Sequence, residues 1–292
     1  MKYAAIDIGS NAIRLLVADI LQSKDETTFK KTTLVRLPIR LGDDSFLHHH
    51  ISERKADDVV KAMIAFRNIM DIYHVEFYMA CATSAMREVD NGAELVEKIK
   101  KAGIDLAIID GHQEAKIIYS YHFEKQLNEK KTYLYIDVGG GSTELSIFHR
   151  QKLVASKSFD IGTIRILDQQ DQEESWLAMK QWIKNKTHQF PGVIGIGTGG
   201  NINKLYVLAN VKPPKALSYQ KLKATYEHLS SFSLKDRINV LDLKPDRADV
   251  IIPASEIFLN IMKWGKINQL FVPRIGLVDG MIQTLIDKSF KR

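Results

Sequence analysis

Two stretches of the chain share one plan, and that plan limits the folds open to it. Residues 135–148, YIDVGGGSTELSIF, run from apolar strand sequence into Asp137, then Gly139, Gly140 and Gly141, then Ser142 and Thr143, and back into an apolar run. Residues 3–20, YAAIDIGSNAIRLLVADI, repeat the plan with Asp7, Gly9, Ser10 and Asn11. Glycine lets the backbone take the tight conformations that join two antiparallel strands. The N–H groups of such a turn can converge on one point, which makes an anion site. Ser10, Ser142 and Thr143 add hydroxyl donors. Asp7 and Asp137 would repel a phosphate unless a divalent cation lay between, and Mg²⁺ or Mn²⁺ suits an oxygen environment of this kind. Either turn alone is explained by an ordinary hairpin. Two of them, one in each half, predict a phosphoryl ligand gripped from both sides of a cleft.

The rest of the chain fits a pair of domains. It has 292 residues, 45% of them hydrophobic and 26% charged, enough for a sizeable core and unlike a disordered chain. No apolar run approaches the roughly 18 residues of a membrane span. Asp7 breaks the N-terminal apolar stretch too early for a signal peptide, so a cytoplasmic protein is expected. The single cysteine, Cys81, excludes an internal disulfide and any Cys-cluster metal site, and it reads as a small buried hydrophobe. A formal charge of +6 and a pI near 9.1 suit an acidic ligand, though many proteins carry such a charge without one.

Strand-like runs at TLVRLPIRL (33–41), VEFYMACAT (75–83), LAIID (106–110), YLYIDV, LSIF and GVIGIGT (192–198) alternate with helical patterns at 53–73 and 173–190. Helical spacing there places Val59, Val60, Met63, Ile64, Ile69 and Met70 toward the core in the first helix, and Trp176, Met179, Ile183 and Phe190 in the second. The class is α/β. The polar segment 124–132 is the expected boundary, giving domains 1–126 and 127–292, with the last helix able to pack back on the first. A third glycine turn, GIGTGGNINKLY, brings Gly199 and Gly200 to the start of a helix, where anions are also received. It is no Walker loop, because no Gly-Lys-Ser/Thr ends it. The tract His48–His50 is internal and beside a predicted loop, so it reads as solvated.

Seven ordered segments carry a resemblance: AIDIGSNAIRLLVADI, ATSAMREVDNG, IDGHQEAKIIY, YIDVGGGSTELSIF, FDIGTIRILDQ, GIGTGGN and PDRADVIIPA. On them the chain resembles the exopolyphosphatase and guanosine pentaphosphate phosphohydrolase (Ppx/GppA) family of the actin, Hsp70 and sugar kinase superfamily. The resemblance implies two actin-like, ribonuclease H-like domains facing across a cleft, each a mixed β-sheet flanked by helices. It also implies phosphate loops at Asp7, Gly9, Ser10 and Asn11 and at Asp137 and Gly139–Thr143, a phosphate-contacting Arg87, and a catalytic Glu114. Asp137 and Glu144 fall on acidic positions linked with Mg²⁺ and the attacking water. Arg14 is a candidate second phosphate ligand, and Arg165 stands as either a ligand or a structural residue.

Phosphoanhydride hydrolysis asks mainly for positioning, charge neutralisation and an oriented water, and each has a candidate here. Two departures stand out. Gln113 replaces the first acid of the family's usual pair, and Val278 stands where the family generally has a basic side chain. Longer members carry a further helical domain related to HD phosphohydrolases, and no suitable His-Asp motif for one occurs here. Short-chain polyphosphate therefore joins the long polymer as an expected substrate. The other readings are a pppGpp 5′-phosphohydrolase, an actin-like ATP-dependent kinase or ATPase, and a nonhydrolysing ligand sensor. No nucleic acid or membrane is expected as a partner, and a homodimer is allowed.

Overall fold

The computed structural model describes every residue except 24–26, 122–127, 129 and 291–292. The chain forms two compact units, Met1–Tyr121 with Gly276–Arg292, and His122–Ile275. Most of the expected boundary segment 124–132 lies outside the described residues. Among the described residues no helix is long and apolar enough to cross a membrane.

The first unit is built on β1 (Lys2–Ile8), β2 (Ile13–Gln22), β3 (Thr27–Leu37), β4 (Phe77–Ala82) and β5 (Ala107–Ile108), in the sheet order β3-β2-β1-β4-β5. β1 pairs antiparallel with β2 and parallel with β4, so it is the central strand. That position explains its sequence: Tyr3–Ile8 are all buried, and Asp7 is the single charge among them. β3 is an edge strand and carries alternating exposed polar residues. It stops at Leu37, short of the strand read at 33–41. Pro38 lacks an N–H for the ladder, and a helix, Leu41–His48, begins three residues later. The strand read at 106–110 contracts to Ala107–Ile108, because Asp110 caps the next helix.

Helix Glu53–Ile72 buries Val59, Met63 and Met70 as its spacing predicts, whereas Ile64 points outward and is 47% exposed. The C-terminal helix, Leu277–Phe290, packs Leu277, Met281 and Ile282 against Tyr3, Ala5 and Ile118. Its Asp279 is buried and bonded to Lys31 of β3 at 2.6 Å and to the Gly276 N–H at 3.0 Å.

The second unit contains β6 (Thr132–Val138), β7 (Thr143–His149), β8 (Lys152–Phe159), β9 (Ile194–Thr198), β10 (Leu217–Ser218) and β11 (Gln269–Phe271), in the order β10-β11-β9-β6-β7-β8. β6, β7 and β8 form an antiparallel meander, and β9 and β11 follow on the other side of β6 in parallel. The same antiparallel triplet and parallel continuation occur in the first unit, so the α/β architecture is duplicated, each sheet mixed and flanked by helices. Ile136, Leu145 and Ile147 meet Ile202, Phe258 and Ile261 in the core. Helix Glu173–Thr187 buries Met179 and Ile183 and ends before Phe190, whose ring stacks on His149 beyond it.

Burial holds the Asp279 carboxyl above its usual range, while Lys31 and the Gly276 N–H pull it part of the way back. A carboxyl raised in the folded state takes up its proton there first. Stability from this group therefore grows as pH falls from above its folded pKa toward the unfolded value near 3.9, and is lost as pH rises again. Asp279→Asn, which does not titrate, should gain on the wild-type protein at pH 7.5 relative to pH 4.5. Urea midpoints at the two pH values check this, and an identical difference at both would contradict it.

Candidate active site

Both glycine turns lie at the C-terminal end of a central strand, and the strand pairing decides what stands beside each aspartate. In the second unit β6 and β7 pair so that Asp137 lies opposite Glu144. Carboxylate oxygens of the two come within 4.8 Å of each other. At an effective dielectric of about 20, two full charges at that distance repel by roughly 3 kcal/mol. Glu144 is 4% exposed, and its Oε1 accepts from Ser142 Oγ at 2.6 Å and Ser158 Oγ at 2.9 Å. Two donors fixed on one oxygen hold the carboxylate in place beside Asp137. An all-oxygen, doubly negative pair of this kind fits a divalent cation such as Mg²⁺ or Mn²⁺.

In the first unit the same register position gives a different answer. β1 and β2 set Asp7 opposite Arg14, and Arg14 Nη1 donates to Asp7 Oδ2 at 2.5 Å. Asp7 is buried, and burial holds its pKa above the usual range even though Arg14 pulls it down. A guanidinium thus neutralises the carboxylate here, where two acids sit side by side in the second unit. Arg14, read as a phosphate ligand, already has an anionic partner. Ser10 is buried with its Oγ 2.9 Å from Ser84 Oγ, and Asn11 is also buried.

The other candidates in the first unit gather around one helix, Gly111–Tyr119. Asp110 caps it: Asp110 Oδ1 accepts from the Gln113 N–H at 2.7 Å, and Gln113 Oε1 accepts from the Asp110 N–H at 3.0 Å. This reciprocal capping box explains Gln113, since an amide oxygen serves as well there as a carboxylate. The next residue, half-buried Glu114, is therefore mounted on a locked first turn. Arg87 ends the short helix Ser84–Arg87 and donates from Nη1 to Ile109 O at 2.8 Å, directly before that cap. Cys81 is buried, and its thiol is pushed up to about 11, chiefly by burial and then by the charges of Asp7 and Glu114, so it is an inert core residue.

The second unit's turn corrects one expectation of detail. Thr143 is fully buried and donates its single hydroxyl proton to Ile161 O at 2.6 Å, while Ser142 gives its proton to Glu144. Both hydroxyl protons are thus committed within the protein, to Glu144 and to Ile161 O. Gly199 and Gly200 open helix Gly200–Leu208. Gly199 has φ +89°, and a Cβ there would stand 2.5 Å from Asp137 Oδ1, so its bare backbone is what lets the helix start lie against the aspartate. Arg247 Nη1 donates to Asn201 Oδ1 at 2.6 Å in that first turn. The sequence reading passed over both: PDRADVIIPA contained Arg247, but nothing in its spacing ties it to Asn201. Val278, in the first turn of the C-terminal helix, is 5% exposed and faces the core, so an apolar side chain suits its place. His48–His50 are exposed, and His50 Nδ1 lies 2.7 Å from Asp90.

The family model for the Ppx/GppA phosphatase family matches residues 20–289. Among curated proteins, a bifunctional 3-dehydroquinate synthase/phosphatase of Fusobacterium nucleatum is 27% identical over 89% of this chain and 43% of its own length. A guanosine-5′-triphosphate,3′-diphosphate pyrophosphatase of Aliivibrio fischeri is 23% identical over 98% of this chain and 59% of its own. The chain thus spans about half the length of these two relatives. Exopolyphosphatase 2 of Mycobacterium tuberculosis is 25% identical, with 97% of this chain and 98% of that protein covered. Among solved structures, an exopolyphosphatase from Cytophaga hutchinsonii shares the fold with a TM-score of 0.84 and 24% identity, over 99% of this chain and 98% of that one.

The hydroxyl that steadies Glu144 from β8 offers a mild test of the carboxylate pair. Ser158→Ala should weaken Mn²⁺ binding about tenfold, the usual worth of a hydrogen bond to a metal-holding carboxylate. Isothermal titration with MnCl₂ measures it, and unchanged affinity would separate Ser158 from the metal site.

Proposed function

The chain belongs to the Ppx/GppA phosphatase family, and from that premise we propose that it is an exopolyphosphatase-type phosphoanhydride hydrolase, releasing terminal orthophosphate from inorganic polyphosphate, short chains included. The observation that carries the reading is the register pair Asp137 and Glu144 beside the triple-glycine turn. Acidic oxygens for a cation and backbone N–H groups for phosphate stand there on adjoining residues.

The backbone of Gly139–Thr143 binds phosphoryl oxygens in the second unit, and Gly9, Ser10 and Asn11 do so in the first. Gly199 and Gly200, at a helix N-terminus, add N–H groups of the kind anions favour. Arg87, with one N–H anchored on Ile109 O, turns further guanidinium donors toward phosphoryl oxygens, a fork suited to that geometry. Arg14 keeps Asp7 neutralised and out of the metal set, which we assign to Asp137 and Glu144. A bound Mg²⁺ or Mn²⁺ supplies positive charge against the phosphate oxygens. Glu114 is the general base: it accepts a proton as the water oxygen bonds to the terminal phosphorus and the bridging P–O bond breaks. The products are orthophosphate and a chain one phosphate shorter.

Hydrolysis of the 5′-phosphate of pppGpp is the second reading, favoured by the likeness to the Aliivibrio fischeri protein. A kinase or motor would instead act on ATP and respond to an acceptor. We assign this activity to the cytoplasm; among the described residues no helix is long and apolar enough to cross a membrane. Orthophosphate release from tripolyphosphate, long polyphosphate, pppGpp and ATP, with Mg²⁺ or with EDTA, tests the reading. Polyphosphate should be cleaved only with Mg²⁺, and Glu114→Gln should be slower by about 10²- to 10⁴-fold. Wild-type turnover in that variant would remove Glu114 from the mechanism, and release from ATP alone would overturn the assignment.

A further inference from the structure

The triple-glycine turn is held from behind by the segment that follows β8. The Thr163 N–H donates to Gly139 O at 3.1 Å, and the Ile164 and Arg165 N–H groups donate to Gly140 O at 2.9 and 3.3 Å. Arg165 Nε donates to Gly141 O at 2.7 Å. All three glycine carbonyls are therefore directed at residues 163–165. A trans peptide is planar, with its C=O and the following N–H pointing in opposite directions. The N–H groups of Gly140, Gly141 and Ser142 must then face away from that segment, on the side where an anion would sit.

The contact is close enough to exclude a side chain. A Cβ on Gly162 would lie 2.2 Å from Gly140 O, so the clasping backbone rests directly on the turn. The first unit repeats the device after its own third strand: the Gly42 N–H donates to Ser10 O at 2.8 Å and the Arg40 N–H to Asn11 O at 3.3 Å. There the Arg40 guanidinium turns to Asp43. In the second unit an arginine side chain joins the clasp. Arg165 is 8% exposed, and its side chain fixes the last of the three carbonyls.

We infer that Arg165 is a positioning residue for phosphate binding: by holding Gly141 O from behind, it keeps the Ser142 N–H turned toward the phosphoryl group without touching that group itself. The inference rests on the proposed use of this turn as a phosphate cradle. It gives a buried arginine, one residue from the fully buried Ile164, a part in substrate affinity and none in metal binding.

The test is calorimetric binding of imidodiphosphate, which cannot be hydrolysed at its bridge, to the wild-type protein, Arg165→Met and Arg165→Lys in the presence of Mg²⁺. Mn²⁺ affinity is measured alongside on each protein. Arg165→Met should bind imidodiphosphate at least tenfold more weakly, Arg165→Lys should fall between, and Mn²⁺ affinity should stay at its wild-type value in both. A folded Arg165→Met with wild-type imidodiphosphate affinity would overturn the inference, as would loss of Mn²⁺ binding in step with it, the mark of a general collapse. Should Arg165→Met not fold, Arg165→Lys decides: weakened binding supports the inference and unchanged binding overturns it. Because the readout needs no turnover, a wild-type protein that cleaves no polyphosphate yet shows this pattern would sink the hydrolase reading and leave the role of Arg165 standing.

Discussion

The pairing of β6 with β7 sets two acids against each other, and much of the second unit is arranged around that repulsion. Asp137 and Glu144 occupy facing positions next to the turn. Ser142 and Ser158 hold Glu144 from the turn before its strand and from the neighbouring strand β8, and Gly199 lets a helix start close against Asp137. A fold that buries one acid and half-buries the other at this range loses stability unless a cation joins them or a proton is taken up. That close pair of acids, more than the glycines, is what we read as the candidate metal site.

The first unit shows what the same scaffold looks like when the charge is met from within. Its sheet order, its turn and the backbone clasp behind the turn all correspond, yet Arg14 stands in the register position of Glu144 and binds Asp7. One copy pairs its acid with a guanidinium, and the other sets two acids together that could hold a metal. The duplication is therefore one of backbone, and the chemistry is divided between copies by one side chain on the second strand.

Much of this was legible in the chain because the signals are local. An aspartate ending an apolar strand, followed by glycines and a hydroxyl, specifies a turn whatever surrounds it. The second acid, Glu144, came from the family resemblance, because spacing alone assigns it no role. What stayed hidden depends on contacts between distant segments or on which way a side chain faces. Thr143 reads as a phosphate donor and turns inward to Ile161 because residues alternate along β7. Gln113 reads as a loss of acid, and only the capping box reveals that its amide oxygen does the required work. Val278 reads as a missing cation and is a core residue. Arg165 and Arg247 bear on turns about 25 and 50 residues away, distances over which spacing carries no information.

The central claim is that the cation is held by Asp137 and Glu144 and not by Asp7. Mn²⁺ titration followed by electron paramagnetic resonance, on the wild-type protein, Glu144→Gln and Asp7→Asn, tests it most directly. The account predicts one bound Mn²⁺ per chain, lost in Glu144→Gln and kept in Asp7→Asn. A site that survives Glu144→Gln and disappears with Asp7→Asn would contradict it.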